Sequence, residues 1–343
     1  MKIGIVGDIH LGINENKPKF KEYQLKCLKY IHKKLKEENI KDIIYLGDIF
    51  DKRQFITVKT LKTCFEIFNN DFNQYFILGN HDVAYKNSNQ LNSVEILLGD
   101  NNSVIVDDSK EIIFDNKKLL LVPWINKNNQ EKITKQIEKS KAEFLFGHLD
   151  LQGFEMLRGI YSRHSDVSIK LLQKFEKVIS GHFHCYSEKD NICYLGNICQ
   201  MTWNDYNEKK YYGILETKTE DFILKEIPYS IYEKIRINSE DDCEKDILRF
   251  KDKIVKCYLY VDRNVKIEKF LIELIDVAMS VNIIDNQVML ATSDFKHDNQ
   301  NMNILDLWQS YIKELNLSLK ETKIINKIFE DTYIKFYSGE INY

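Results

Sequence analysis

The stretch FILGNHD, Phe76–Asp82, decides how this chain is read. An apolar run, Phe76-Ile77-Leu78, stops at Gly79 and is followed by Asn80, His81 and Asp82. A strand that only closes a core turns on Gly-Asn and moves on. Here an amide, an imidazole and a carboxylate stand in a row at its end.

The same habit recurs on both sides of it. KIGIVGDIH ends in Asp8 and His10, DIIYLGDIFD in Asp48 and Asp51, EFLFGH in His148, and KVISGHFH in His182 and His184. Each apolar, β-branched run closes on a small residue followed by groups that can bind a metal. Five of the eight histidines sit at these ends, so the pattern concerns chemistry more than turns. In an open α/β sheet the ligand crevice lies at the carboxyl ends of the strands, where five such ends can converge. Taken singly, each motif fits a plainer reading: Asp-x-His is weak, a lone Gly-His describes a satisfied buried histidine, and Gly-Asn-His-Asp describes a turn. Together, five structural accidents would have to deliver three kinds of ligand.

The residue types suit paired divalent cations. Two hard ions about 3.5–4 Å apart need a shared carboxylate and mixed oxygen and nitrogen ligands, and they lower the pKa of a water to near neutrality. Asn80 offers a neutral oxygen, which leaves net positive charge to attract a phosphate. His81, adjacent to a ligand and aimed at substrate, can protonate a leaving oxygen. Asp51 or Asp82 would orient it.

Composition sets the bounds. At 343 residues the chain exceeds the size at which single cores stop growing, so two or more domains are expected. A formal charge of −3 provides no bulk basic excess, so nucleic acid would have to be met by a local patch or a partner. Seven scattered cysteines without a CxxC pair argue for reduced thiols inside a cell. The N-terminus is too short and too polar for a signal h-region, and no run approaches about 18 apolar residues. The reading is a cytoplasmic protein.

Periodicity predicts helices over residues 20–36 and 57–70 and near 88–98, 127–141 and 166–175, between the strands already quoted. This alternation implies a sheet covered by helices on both faces. YYGILETKTEDFILKEIPY, residues 211–229, reads as a hairpin. After Pro228, YEKIRI, VKCYLYVD, a helix near 267–280 and VNIIDNQVML suggest a small α+β unit. The expected division is 1–228, 229–292, a polar linker over 293–303, and a helical pair over 304–338, its second helix opened by a Ser318/Glu321 capping box. His32 and His297 read as surface residues without a role.

The five motifs, in this order over residues 8–184, resemble the calcineurin-like metallophosphoesterase superfamily. GDIFDKR, VPW, GHLDLQGF and SGHFHCY narrow the resemblance to the nuclease subunits of double-strand-break repair nuclease–ATPase complexes, those of T-even-type phages included. It is strong through about residue 205. The resemblance implies an α/β fold: a β-sandwich flanked by helices, then a DNA-contacting α+β cap and a C-terminal helical pair. It implies two divalent ions, manganese first, with magnesium, iron or zinc as alternatives. Asp8, His10 and His184 would serve one ion and Asn80, His148 and His182 the other, with Asp48 as bridge and His81 and Asp51 as catalytic residues. Some members carry histidine where Asp51 stands. It further implies 3′–5′ exonuclease and endonuclease activity, a homodimer, and an SMC-like ABC-type ATPase partner.

The apolar residues Leu305, Trp308, Ile312, Ile328 and Phe336 cannot be buried by two short helices alone and are the candidates for that partner. Lys52, Arg53, Arg158 and Arg163, interleaved with aromatics, are candidates for DNA contact. A phosphatase or small-molecule phosphodiesterase on the same scaffold is the alternative. The cap and tail argue against it, and the complete ligand set argues against an inactive scaffold.

Overall fold

In the computed structural model, residues 1–14, 17–99, 102–244, 246–285, 308, 312, 322–323 and 325–329 are described. Met1–Ile284 forms one compact unit and Asp285–Tyr343 a second.

Two six-stranded sheets make the body of the first unit. The first runs in the order Asp221–Ile227, Lys210–Glu216, Lys2–Val6, Asp42–Tyr45, Asn73–Ile77, Ser103–Val106. Its last four strands are parallel, and the Lys210–Glu216/Asp221–Ile227 hairpin joins antiparallel beside Lys2–Val6. The second runs Ser187–Lys189, Ile192–Tyr194, Lys177–Gly181, Phe144–His148, Lys117–Val122, Lys110–Phe114, parallel at its centre and antiparallel at both edges.

The sheets face each other. Ile3, Ile5, Ile44 and Ile77 meet Leu119, Leu121, Phe144, Phe146 and Ile179 in a shared core. The alternate residues turn outward. Ile43, Tyr45 and Phe76 pack on helices Pro18–Glu37 and Val58–Phe68, while Leu120, Leu145 and Val178 pack with Ile133 and Ile137 of helix Gln130–Lys139. The architecture is therefore a β-sandwich with helices on its two outer faces, where strand alternation alone had suggested one sheet. A strand buried on both sides reads as a continuous apolar run whatever covers each side.

Local signals explain the helices. Pro18 occupies the first turn, where its missing N–H costs nothing. Thr57 caps Val58–Phe68, accepting from the Thr60 N–H at 3.2 Å. Of the helix expected over 88–98, only Ser93–Leu98 forms, and Ser88–Asn92 pairs as a strand with Val83–Tyr85. The cause is Asn92, whose side chain accepts from the Glu95 N–H (2.7 Å) and so starts the helix there.

The cap is a three-stranded sheet, Tyr232–Ile237, Ile254–Leu259, Ser280–Asp285, with helix Val265–Val277 on its apolar face. Tyr232 ties it to the body, donating to the Met201 carbonyl at 2.8 Å and packing its ring, tilted by 48°, on Trp203 at 4.7 Å. In the second unit Trp308 stacks on Phe329 (4.2 Å, 6°) and its indole N–H donates to Asn326 Oδ1 at 2.8 Å. Ile312 is buried and Ile328 is 60% exposed. Leu305, Phe336, His297, the 293–303 linker and the Ser318/Glu321 capping box lie outside the described residues. Among the described residues no helix is long and apolar enough to cross a membrane.

His32, expected on the surface, is buried instead. Its Nε2 lies 2.9 Å from the Tyr45 hydroxyl and its ring 5.4 Å from that of Phe72. Burial, and secondarily the Lys36 ammonium, push the imidazole down to about 4. Above pH ~6.5 both folded and unfolded chains hold it neutral, and it contributes nothing. Between pH ~6.5 and ~4 only the unfolded chain takes up the proton, so up to about 3 kcal/mol of stability is lost as pH falls. Urea unfolding of His32→Gln should show a flatter pH dependence across that window. An unchanged slope would exclude His32 as the source.

Candidate active site

Both sheets deliver their strand ends to one place. Lys2–Val6, Asp42–Tyr45 and Asn73–Ile77 lead to Asp8, Asp48 and Asn80, and Phe144–His148 and Lys177–Gly181 lead to His148 and His182. The crowding is tight. A Cβ on Gly79 would lie 2.2 Å from Asp48 Oδ1, and one on Gly47, at φ 108°, would lie 2.4 Å from His148 Nδ1. Only glycine permits either approach. His10, Asp48 and His182 themselves take positive φ (51°, 48° and 91°), a conformation that surrounding bonds must enforce. His10 N–H donates to the Asp48 carbonyl at 2.9 Å, and His182 N–H to both Asp8 oxygens at 2.9 and 3.1 Å.

The structure brings together all seven residues expected as ligands, and His81 with them. Three groups hold their donor atoms within 4.8 Å of one another: Asp8, His10 and His184; His10, Asp48 and His81; and Asp48, His148 and His182. Asn80 Oδ1 lies 3.1 Å from His148 Nε2 and 3.0 Å from His182 Nδ1. His10 Nε2 and His184 Nε2 are 3.1 Å apart. Asp48 Oδ2 stands between, 3.6 Å from His10 Nε2 and 3.5 Å from His148 Nε2.

These contacts make poor sense as hydrogen bonds alone. His148 Nδ1 must donate to the Leu46 carbonyl at 2.8 Å, so neutral His148 turns a lone pair toward the Asn80 oxygen. A proton on Nε2, a turned Asn80 amide or a cation reconciles the two. Without a cation the proton is held hard: burial pushes the His148 imidazole down, but the Asp48 and Asp8 carboxylates outweigh it and raise it to about 9. Burial pushes His10 and His182 well below the usual histidine range and Asp8 well above the usual carboxylate range. His10 Nδ1 is buried without a hydrogen-bond partner. Imidazole nitrogens and carboxylate and amide oxygens gathered this closely fit divalent cations of the manganese, iron or zinc kind.

His81 is fixed from two sides. Its N–H donates to Asp48 Oδ1 (2.8 Å) and its Nδ1 to the Asp51 carbonyl (2.6 Å). The orienting contact from Asp51 is thus its backbone oxygen, while its carboxylate Oδ1 lies 3.7 Å from His10 Nδ1. Asp82, the other expected partner, is committed elsewhere. It accepts from the N–H groups of Gly79, Ile49 and Phe50 and fastens two motif loops together.

Of the DNA-contact candidates, Lys52, Arg158 and Arg163 are exposed, whereas Arg53 directs its guanidinium at the Asn80 carbonyl. Three supporting residues went unassigned in the sequence. Gln24, the polar interruption in an apolar helix face, donates to the carbonyls of Ile9 and His10 at 2.7 and 3.1 Å. Trp124 of the VPW motif packs 5.1 Å from the His182 ring. Lys210, buried, donates to the His184 carbonyl at 3.2 Å, and nothing in its sequence context marks it.

Comparison with known proteins identifies the family. The family model "Calcineurin-like phosphoesterase" matches residues 1–186. "Exonuclease subunit 1" of Enterobacteria phage T4 is 30% identical over 322 residues, covering 92% of this chain and 93% of that protein. One SbcCD nuclease subunit, from Staphylococcus saprophyticus, is 23% identical over 211 residues, 56% of this chain and 55% of that one. Among solved structures, a dimetal phosphatase from Danio rerio is similar with a TM-score of 0.44 and 11% identity, covering 66% of this chain and 95% of the other. With its family model matched across more than half its length and its motif residues gathered at one site, the chain belongs to the calcineurin-like phosphoesterase family.

Proposed function

We propose that this chain is a two-metal DNA phosphodiester hydrolase, a 3′–5′ exonuclease and endonuclease, that works with an SMC-like ABC-type ATPase in DNA break processing, recombination or repair. The nuclease names of its relatives support the activity, and the family supports phosphoester hydrolysis.

The observation that carries DNA over a small phosphate ester is a pair of half-buried lysines on the face of the cap sheet turned away from its helix, beside Trp203 and Tyr206 of the body. Lys234 and Lys256 stand directly opposite each other in the parallel register. Like charges so placed repel, a local cost that a polyanion would relieve. Burial lowers the Lys234 ammonium, and Lys256, Arg158 and Arg236 lower it further. Neither lysine has a carboxylate partner among the described residues. Each instead lies over an aromatic ring, Lys234 on Tyr206 at 4.4 Å and Lys256 on Trp203 at 4.3 Å. In a chain of net charge −3 this is the kind of local patch that nucleic-acid binding requires.

Asp8, His10 and His184 would hold one cation and Asn80, His148 and His182 the other, with Asp48 shared. Bound there, the cations supply an activated water and neutralise charge on the phosphate, manganese being the expected metal. The chain's own groups do the rest. The Leu46 carbonyl sets the His148 tautomer so that Nε2 faces inward. The Asp51 carbonyl holds the Nδ1–H of His81 and so aims Nε2 at the substrate side, where the imidazolium form would pass its Nε2 proton to the leaving oxygen as the phosphorus–oxygen bond breaks and return to the neutral ring. We assign Trp308 and Ile328, with Leu305 and Phe336, to the ATPase interface, and the active form to a homodimer; Ile312, expected beside them, is already buried within the chain.

The test is hydrolysis of 3′-labelled duplex DNA with Mn²⁺, with and without the ATPase, beside hydrolysis of a phosphomonoester. DNA digestion is expected. Robust phosphomonoester hydrolysis with none of DNA, even with the ATPase present, would favour the phosphatase reading. Lys234→Glu with Lys256→Glu should raise KM for DNA on the order of ten-fold and reduce the salt slope by about two. Hydrolysis of bis(p-nitrophenyl) phosphate should persist. Equal loss on both substrates would remove the patch from DNA binding.

A further inference from the structure

The peptide joining Asn80 to His81 is held at both poles. Its carbonyl oxygen accepts two bonds from Arg53, at 2.9 Å from Nε and 2.7 Å from Nη2. Its N–H donates to Asp48 Oδ1 at 2.8 Å. A guanidinium and a carboxylate therefore grip one rigid plane from opposite sides, each polarising the bond the other makes. The two side chains leaving that plane are the Asn80 amide, whose Oδ1 sits 3.0 Å from His182 Nδ1, and the His81 imidazole. His81 is held in turn by the carbonyl of Asp51, two residues before Arg53. The segment 51–53 thus clasps both members of the Asn-His pair, one through its backbone and one through a side chain.

The geometry points to Arg53 as a positioning residue that orients the Asn80 amide and the His81 imidazole, rather than as the DNA contact its sequence neighbourhood suggests. The fork matters. Two N–H groups in a fixed plane converge on one oxygen and define the carbonyl direction, whereas an ammonium on a flexible stem makes one bond and defines much less. Arg53 is half-buried, as a clamp on the site should be, beside the exposed Lys52. Rotation of this peptide would swing the Asn80 oxygen away from His148 and His182 and carry His81 off line together. Small displacements of this kind are costly in catalysis.

The inference rests on the phosphodiesterase reading of the site but not on DNA as its substrate, and the test uses that difference. Full-length Arg53→Ala and Arg53→Lys are compared with the parent for Mn²⁺ binding by titration calorimetry, thermal unfolding, and steady-state hydrolysis of duplex DNA and bis(p-nitrophenyl) phosphate. Arg53→Ala should lower kcat about 30- to 100-fold on both substrates, with KM for DNA changed less than about three-fold. Mn²⁺ affinity at one of two sites should weaken about 10- to 100-fold, as when other supports of metal ligands are removed. Added guanidinium should restore part of kcat in Arg53→Ala, and Arg53→Lys should recover less than the guanidinium does.

A raised KM for DNA with kcat intact and full activity on the small ester would make Arg53 a DNA contact. Loss in step with the folded fraction would make it merely structural. Unchanged Mn²⁺ affinity at both sites would also overturn the assignment. If the parent cleaves the small ester but never DNA, the nuclease reading fails while the small-ester comparison still decides the role of Arg53.

Discussion

Asp48→Asn should fold as the parent does and hydrolyse duplex DNA at least ~10³-fold more slowly with Mn²⁺, the scale of losing a preorganised charge in a water-poor site. The backbone tolerates the change, because Asp48 sits at φ 48°, where asparagine is among the few residues at ease. The new amide oxygen can still accept the His81 N–H now held by Oδ1 at 2.8 Å. What disappears is one buried charge. Asp48 is common to the donor group containing His10 and His81 and to the group containing His148 and His182. Mn²⁺ bound per chain, measured by calorimetry, should fall from two to one or fewer, while circular dichroism and the thermal midpoint stay close to the parent. His81→Gln supplies the contrast. It should lose ~10²–10⁴-fold in rate, the worth of a general acid, yet bind both ions. Full activity in Asp48→Asn would sink the shared-carboxylate arrangement. Loss of an ion in His81→Gln would make His81 a ligand instead of a proton donor.

The ligand residues were legible because each lies within four residues of a strand end, and the strands are apolar enough to be read one by one. The glycines before them were legible for the same reason, and the space at Gly79 and Gly47 shows why nothing larger serves there. The second sheet was not legible from strand alternation, and only the family resemblance implied a sandwich. Ile5 faces the other sheet while Val6 faces helices, yet both are apolar, so the run says only that both faces are covered. His32 was misread because it lies in a helix rich in lysines, and only the fold brings Tyr45 and Phe72 beside it. Arg53 and Lys210 were out of reach for a related reason. The site atoms they hold, the carbonyls of Asn80 and His184, are backbone atoms at 27 and 26 residues' separation, and a carbonyl carries no side-chain signature.

Lys210→Met should cost about 3–5 kcal/mol of unfolding free energy and lower the melting temperature on the order of 10 °C. The ammonium is 2% exposed and donates to Asp205 Oδ1 (2.6 Å), Glu208 Oε2 (2.8 Å) and the His184 carbonyl (3.2 Å). Asp205 is buried as well, and its second oxygen accepts from the N–H groups of Met201 and Thr202 at 2.9 and 2.8 Å. Removing the cation leaves a buried carboxylate uncompensated, which is costlier than the pair is worth.

Burial pushes the Lys210 ammonium down, but Asp205 and Glu208 outweigh it and hold it above the usual lysine value. Burial pushes Asp205 up, but Lys210 outweighs it and holds it below the usual carboxylate value. The lysine's contribution is therefore complete below pH ~10 and lost only as pH rises past its folded value. That of Asp205 is complete above pH ~4 and lost only in stronger acid. The penalty in Lys210→Met should accordingly be greatest and flat near pH 7 to 9 and shrink toward pH 5, where the uncompensated Asp205 takes up a proton in the folded variant, the opposite of the loss traced to His32.

Urea unfolding of Lys210→Met, Asp205→Asn and the double variant should give a coupling energy of about 2 kcal/mol or more. Additivity within about 0.5 kcal/mol would mean that water reaches the pair and the burial argument fails. Because the third bond of Lys210 ends on His184, Mn²⁺ affinity should weaken in the single variant as well. It should stay weak in the double variant, whose stability is partly restored, since neutralising Asp205 does nothing to hold the His184 carbonyl in place.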